Sequence, residues 1–244
     1  MKRLLWIIPL LCSLAWGQGG VIGRSGVIGR SGVIGASAVS GATIIQSGKC
    51  TAATTTCAMT VTAVTAGDRI FVYEFSNGTN SAPTATGETF SHLTGTSGCT
   101  NNTGDTGDCY LVSSAAGGET TINCNTTAAS LICIAVETSH PQALSSPADA
   151  GGNTEVASGT SYSVATSAAT TVAGDIIIGC FGSYATATAY SVGSPYVSVQ
   201  TLAGATSGEL MCESYSPGAT GTQTATATNA TNARCTQGII AIKP

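Results

Sequence analysis

From about Thr43 onward, apolar and hydroxyl-bearing residues come in short runs broken by Gly, Asn, Ser and Pro. Runs rich in Thr, Val, Ile and Tyr predict β-strands, and the breaks predict turns. A first set covers residues 56–62, 69–75, 89–93, 110–113, 120–123 and 131–137. A second covers 161–166, 175–181, 196–201, 209–215, 223–228 and 238–242. Past the first residues, no window of eleven or more carries the 3.6-residue period of a helix. Regular strands with turn signals at this spacing predict an all-β antiparallel sandwich or barrel.

The two sets match one another. Ala66-Gly67-Asp68 leads into the apolar run beginning at Arg69, and Ala173-Gly174-Asp175 leads into the run beginning at Ile176. Cys109 and Gly118 stand as far apart as Cys212 and Gly221. Thr120-Thr121-Ile122-Asn123 aligns with Gln223-Thr224-Ala225-Thr226, and Ile134-Ala135-Val136-Glu137 with Ile239-Ile240-Ala241-Ile242. These echoes predict two pseudo-repeated halves, about residues 43–137 and 154–242, joined by the link 138–153. Tandem domains and one larger double sheet both fit such a pattern. The short link and the few aromatics favour a single sandwich over residues 43–244. Asp68 and Asp175, recurring before each strand, are expected to hold turns by accepting backbone N–H groups.

These residues resemble a broad group of bacterial secreted β-sandwich domains, mostly uncharacterised. Such domains carry an Ala-Gly-Asp turn before an aliphatic strand in each half. They close on an alternating Ala/Ile strand ending in Lys-Pro, here Ile240-Ala241-Ile242-Lys243-Pro244. The resemblance spans roughly residues 43–244 and implies an exported jelly-roll-like sandwich. It supplies no catalytic residues, and the cysteines of this chain depart from it.

The chain opens with Met1-Lys2-Arg3, an apolar run from Leu4 to Leu11, and small residues ending at Gly17. That order predicts a secretory signal peptide over residues 1–17, too short in its apolar part to span a bilayer. Residues 18–42 repeat Gly-Val-Ile-Gly-Arg-Ser and predict a flexible Gly-rich arm, with strand addition to a neighbouring copy as the sharper reading. Without Lys2 and Arg3 the chain holds six basic and twelve acidic residues, a net charge near −6. An acidic balance argues against nucleic acid as a partner. Charged residues make up 8% of the chain, against about a quarter in ordinary domains. Hydration therefore falls to hydroxyls, as suits an exported surface protein.

Nine cysteines remain after residue 17, in a setting that oxidises thiols. Their spacing predicts local bridges Cys50–Cys57, Cys99–Cys109 and Cys124–Cys133. Cys212–Cys235 is the expected fourth, leaving Cys180 as a buried free thiol. No Cys-x-x-Cys occurs, which argues against zinc. Asn101, Asn102, Asp105 and Asp108 gather oxygen donors inside the Cys99–Cys109 loop, where calcium is the metal to consider. The spacing is not that of an EF-hand, and a plain Asx-rich turn is preferred. His92 and His140 stand without a nucleophile elbow. Glu74 and Glu137 are the nearest candidates for the facing carboxylates of glycoside hydrolysis. The expectation is a secreted, non-enzymatic structural, adhesive or self-assembling protein without a required cofactor. Self-association through the arm and a cell-surface glycan are its expected partners. A lectin-like carbohydrate-binding module is the alternative, and a glycoside hydrolase stands behind it.

Overall fold

A computed structural model describes residues 41–101, 106–127, 130–139, 144, 146–184, 190–204 and 208–244. The expected signal peptide, the arm up to residue 40, Asn102, Asp105 and His140 lie outside these residues. The strands are β1 (Ile44–Ala52), β2 (Thr56–Thr60), β3 (Arg69–Ser76), β4 (Asn80–Thr84), β5 (Ser91–His92), β6 (Thr106–Val112) and β7 (Thr121–Thr126). They continue with β8 (Leu131–Thr138), β9 (Ala148–Ala165), β10 (Ile176–Ser183), β11 (Ser191–Val192), β12 (Val197–Ala203), β13 (Glu209–Tyr215) and β14 (Thr224–Ile242). All ladders are antiparallel. The protein is thus all-β, with one short 3-10 turn at Gly95–Ser97 among the described residues.

The first sheet runs β1-β8-β3-β6-β5. The second runs β11-β14-β10-β13-β12, with β9 also paired to β14. A small third sheet, β2-β7-β4, completes the set. The central strands are buried on both faces, which explains why they read as unbroken apolar runs rather than as alternation. On β3, Phe71, Tyr73 and Phe75 enter one core while Ile70 and Val72 enter another. On β10, Ile176, Ile178 and Cys180 share the core of Phe71 and Phe75, while Ile177 and Phe181 point the opposite way.

Three cores result. The middle one lies between the first and second sheets and draws on Leu111, Ile134, Leu210 and Ile240. The second lies between the first sheet and the small β2-β7-β4 sheet and includes Met59, Ile122 and Ala135. The third forms because β9 and β14 are long and bend back over their own sheet. Tyr162, Val164, Ala225 and Ala227 from their outer parts pack on Met211, Ile239 and Ala241. Register shifts in the β9–β14 ladder between Thr228 and Ala233 mark the bend, as bulges do. This layering fits a sandwich. β9 starts inside the expected link, and β14 carries on through the expected break at 229–237.

Both Ala-Gly-Asp turns need their glycine, since Gly67 and Gly174 take φ of 90° and 89°, where a side chain is strained. Across the middle core, Phe75 lies against Gly182, where an added Cβ would come within 2.6 Å of its ring. Tyr73 is seated against Gly238 in the same way, at 2.7 Å.

Four disulfides form among the described residues. Cys50–Cys57 and Cys124–Cys133 tie the first sheet to the small one, and Cys99–Cys109 closes its loop as expected. The fourth corrects the sequence expectation. Cys180 pairs with Cys212, and Cys235 is the buried free thiol. Cys180 and Cys212 face each other in the β10–β13 register with Cα atoms 4.1 Å apart. Cys235 sits on β14, pointing into the third core.

Candidate functional site

The Cys99–Cys109 loop joins the 3-10 turn region to β6. Asn101 forms a backbone bridge with Gly107, through bonds of 2.6 and 2.9 Å. Asp108 is buried and accepts from His92 Nε2 at 2.9 Å. Its carboxylate is thereby engaged between β6 and β5; of the expected calcium set Asn101, Asn102, Asp105 and Asp108, Asn102 and Asp105 lie outside the described residues.

Thr100 Oγ1 lies 2.9 Å from the same His92 nitrogen and donates to the Leu93 carbonyl. A catalytic relay needs the carboxylate on one ring nitrogen and the hydroxyl on the other. Here both oxygens meet Nε2, so Asp108, His92 and Thr100 do not form such a relay. Its ring stacks on Tyr110 at 4.9 Å. Beside it opens a depression of about 250 Å³, edged by Ser91, Thr94, Ser97, Ser113 and Ser146.

Glu74 and Glu137 do not face one another. On the β3–β8 ladder Glu74 stands opposite Cys133, and Glu137 opposite Ile70, toward the other end of β3. Each clamps backbone instead. Glu74 accepts the Asn125 amide at 3.1 Å. Glu137 accepts the Thr65 amide at 2.8 Å and the Gln46 side chain at 2.5 Å. Burial pushes the Glu74 carboxyl up to about 9, against the pull of the Asn125 amide. Glu213, on β13, receives the amides of Gly193 and Thr226, and burial raises it to about 7.

Glu74 also lies close to the sulfurs of Cys124 and Cys133, while Cys50, Cys57 and Cys124 form a second close group. A soft metal needs thiolates. All four cysteines are consumed in disulfides.

Among the described residues two pairs of carboxyls do meet. Glu88 and Glu119 touch near the surface, and Glu88 also accepts the Ala116 amide at 2.7 Å. The other pair is deeper and was not read from the sequence. Asp149, at the start of β9, is 2% exposed in its side chain. Its Oδ2 accepts the amides of Thr171 and Val172, and its Oδ1 accepts the Thr171 hydroxyl at 2.6 Å. Lys243 Nζ stands 3.3 Å from that same Oδ1.

Asp175 is fully buried beside Asp149, and neither of its oxygens receives a hydrogen bond from an N–H or O–H among the described residues. Two carboxyls placed together disfavour each other's charge. Burial, and then Asp149, push Asp175 up to about 7, against Lys243 and Arg69. Burial also disfavours charge on Asp149, but the Thr171 hydroxyl and amide outweigh it and hold that carboxyl below its usual range.

Asp175 therefore does not cap its turn, contrary to expectation. Asp68 contributes its backbone to the matching turn, where its carbonyl accepts the Ala115 amide at 2.7 Å.

Finally, an open apolar trough of about 550 Å³ runs between β1 and β12 and includes Ile44, Ile176, Pro195 and Val197. Beside it, Lys49 and Ser47 donate to the Thr201 and Val199 carbonyls, a capping that blunts an edge strand. Among the described residues no helix is long and apolar enough to cross a membrane. No family model, curated protein or solved structure matches the chain.

Proposed function

We propose that this chain is an exported structural β-sandwich of jelly-roll type, serving as a surface, matrix or self-assembling protein rather than an enzyme. One observation carries the reading. The buried carboxylates Glu74, Glu137, Glu213 and Asp149 are spent on the chain's own backbone amides, so the interior polar chemistry holds strands together. Four disulfides serve the same end and fit an oxidising compartment.

The sandwich is built from two equivalent halves, in support of which the sheet orders correspond. β3, β6 and β8 stand to one another as β10, β13 and the end of β14 do. Assembly proceeds through the Gly-Val-Ile-Gly-Arg-Ser arm. Sedimentation and negative-stain microscopy of the oxidised protein, with and without residues 18–41, test this: assemblies that vanish on deletion support it, and identical monomers sink it.

The second reading, a lectin-like module, draws on the hydroxyl-rich depression beside His92 and Tyr110. A glycan array separates the two, since binding lost in His92→Ala would favour it.

A further inference from the structure

We propose that Lys243 and Asp149 join in an intramolecular amide bond, formed by the protein itself with Asp175 as the proton carrier. The assembly reading is not needed for this, because the test reads covalent mass rather than association.

The arrangement holds more than an ion pair requires. The Lys243 main chain is fixed on both sides: its N–H donates to the Pro147 carbonyl at 2.9 Å, and its carbonyl accepts the buried Arg69 guanidinium. Its Nζ is 3.3 Å from Asp149 Oδ1, one bond from the Cγ that it would attack. The other oxygen, Oδ2, points at two backbone amides, those of Thr171 and Val172. That is where negative charge collects when a nucleophile adds to Cγ, and preorganised N–H groups stabilise it there. Asp175, wholly buried against Asp149, supplies a second carboxyl with no other hydrogen-bonding duty among the described residues. A carboxyl that titrates near neutrality suits proton transfer in both directions. Asp149, Lys243 and Arg69 are the charged groups that face it.

The bonds balance without cofactor or oxidant. The Lys243 ammonium passes one proton to the Asp175 carboxylate, and the neutral Nζ adds to Cγ of Asp149 as Asp175 returns that proton to Oδ1. The intermediate carries its negative charge on Oδ2. A further proton moves from nitrogen to Oδ1, the Cγ–Oδ1 bond breaks, and water leaves. One carboxylate and one ammonium become one amide and one water, and Asp175 ends as it began. In water the amide would hydrolyse. Held groups reach effective molarities on the order of 10⁵ M or more, and the buried carboxyl faces little solvent. The bond would lock the Ala148↔Ile242 end of the β9–β14 ladder.

Intact mass spectrometry of the folded, exported protein after reduction and denaturation is the test. We expect a mass one water below that calculated for the exported chain, and a branched proteolytic peptide linking Lys243 to Asp149. Lys243→Ala and Asp149→Ala should restore the full mass. Asp175→Ala should slow or abolish the loss while thermal melting shows a folded chain. Full mass in the wild-type protein after incubation at neutral pH, with both residues in separate linear peptides, overturns the proposal. So does water loss without a branched peptide, which marks a cyclised aspartate. Undiminished linkage in the Asp175 variant overturns the role of Asp175.

Discussion

At single residues, shape complementarity between the two large sheets decides which substitutions are tolerated. Phe75 and Tyr73 lie directly over Gly182 and Gly238, where a methyl group would meet the ring at 2.6 and 2.7 Å. Gly182→Val and Gly238→Val should each cost about 1–3 kcal/mol through overpacking, read as a lower urea midpoint. Phe75→Ala should cost about 3–5 kcal/mol, because it empties the middle core. Cys235 is fully buried, and burial pushes its thiol up to about 12 even though Tyr190 donates to it. It should stay unlabelled by a thiol reagent in the folded protein and react once in denaturant.

Among elements, the disulfides work over very different spans. Cys180 and Cys212 are 32 residues apart, whereas the other three pairs are separated by 7 to 10. Closing the longer loop is worth about 3.7 kcal/mol in the chain-entropy model, against about 2.5 for the short ones. Replacing Cys180 and Cys212 together by Ala should therefore lower stability more than replacing Cys50 and Cys57, as equilibrium unfolding would show. The three short bridges were legible from spacing alone, since nearby cysteines around turns have little else to reach. The long one was not, because β10 finds β13 only through sheet order, while Cys235 looks equally available along the chain. Glu74 and Glu137 misled for a related reason: both are on central strands, but the β3–β8 register sets them at different heights.

For the whole molecule, burial of acids shapes the response to pH. Glu74 and Glu213 have folded values raised to about 9 and about 7, above the usual unfolded value near 4. The folded state thus binds more protons between the two values, and stability falls as pH rises through that window. Denaturation at pH 5, 7 and 9 should give decreasing unfolding free energies. Glu213→Gln should remove part of the loss between pH 5 and 7, and Glu74→Gln a similar part of it and most of the loss between 7 and 9. In chains where its carboxyl is free, as in Lys243→Ala, Asp149 works in the opposite sense. Its lowered value contributes stability that is present above the ordinary carboxyl range and lost as pH falls through its folded value.

What the sequence determined by itself was local: strand-forming runs, the glycine turns at Gly67 and Gly174, and the short disulfide loops. Each depends on the steric and entropic preferences of neighbouring residues, and these act before any distant contact forms. The tertiary structure alone decided the three-core layering, the folding of β9 and β14 over their own sheet, and the Cys180–Cys212 bridge. It also decided the meeting of Asp149, Asp175, Arg69 and Lys243, residues from the starts of β9, β10 and β3 and from just past the end of β14. Such meetings depend on strand order and register, which arise when the whole chain buries its apolar faces. No run of neighbours along the chain encodes them.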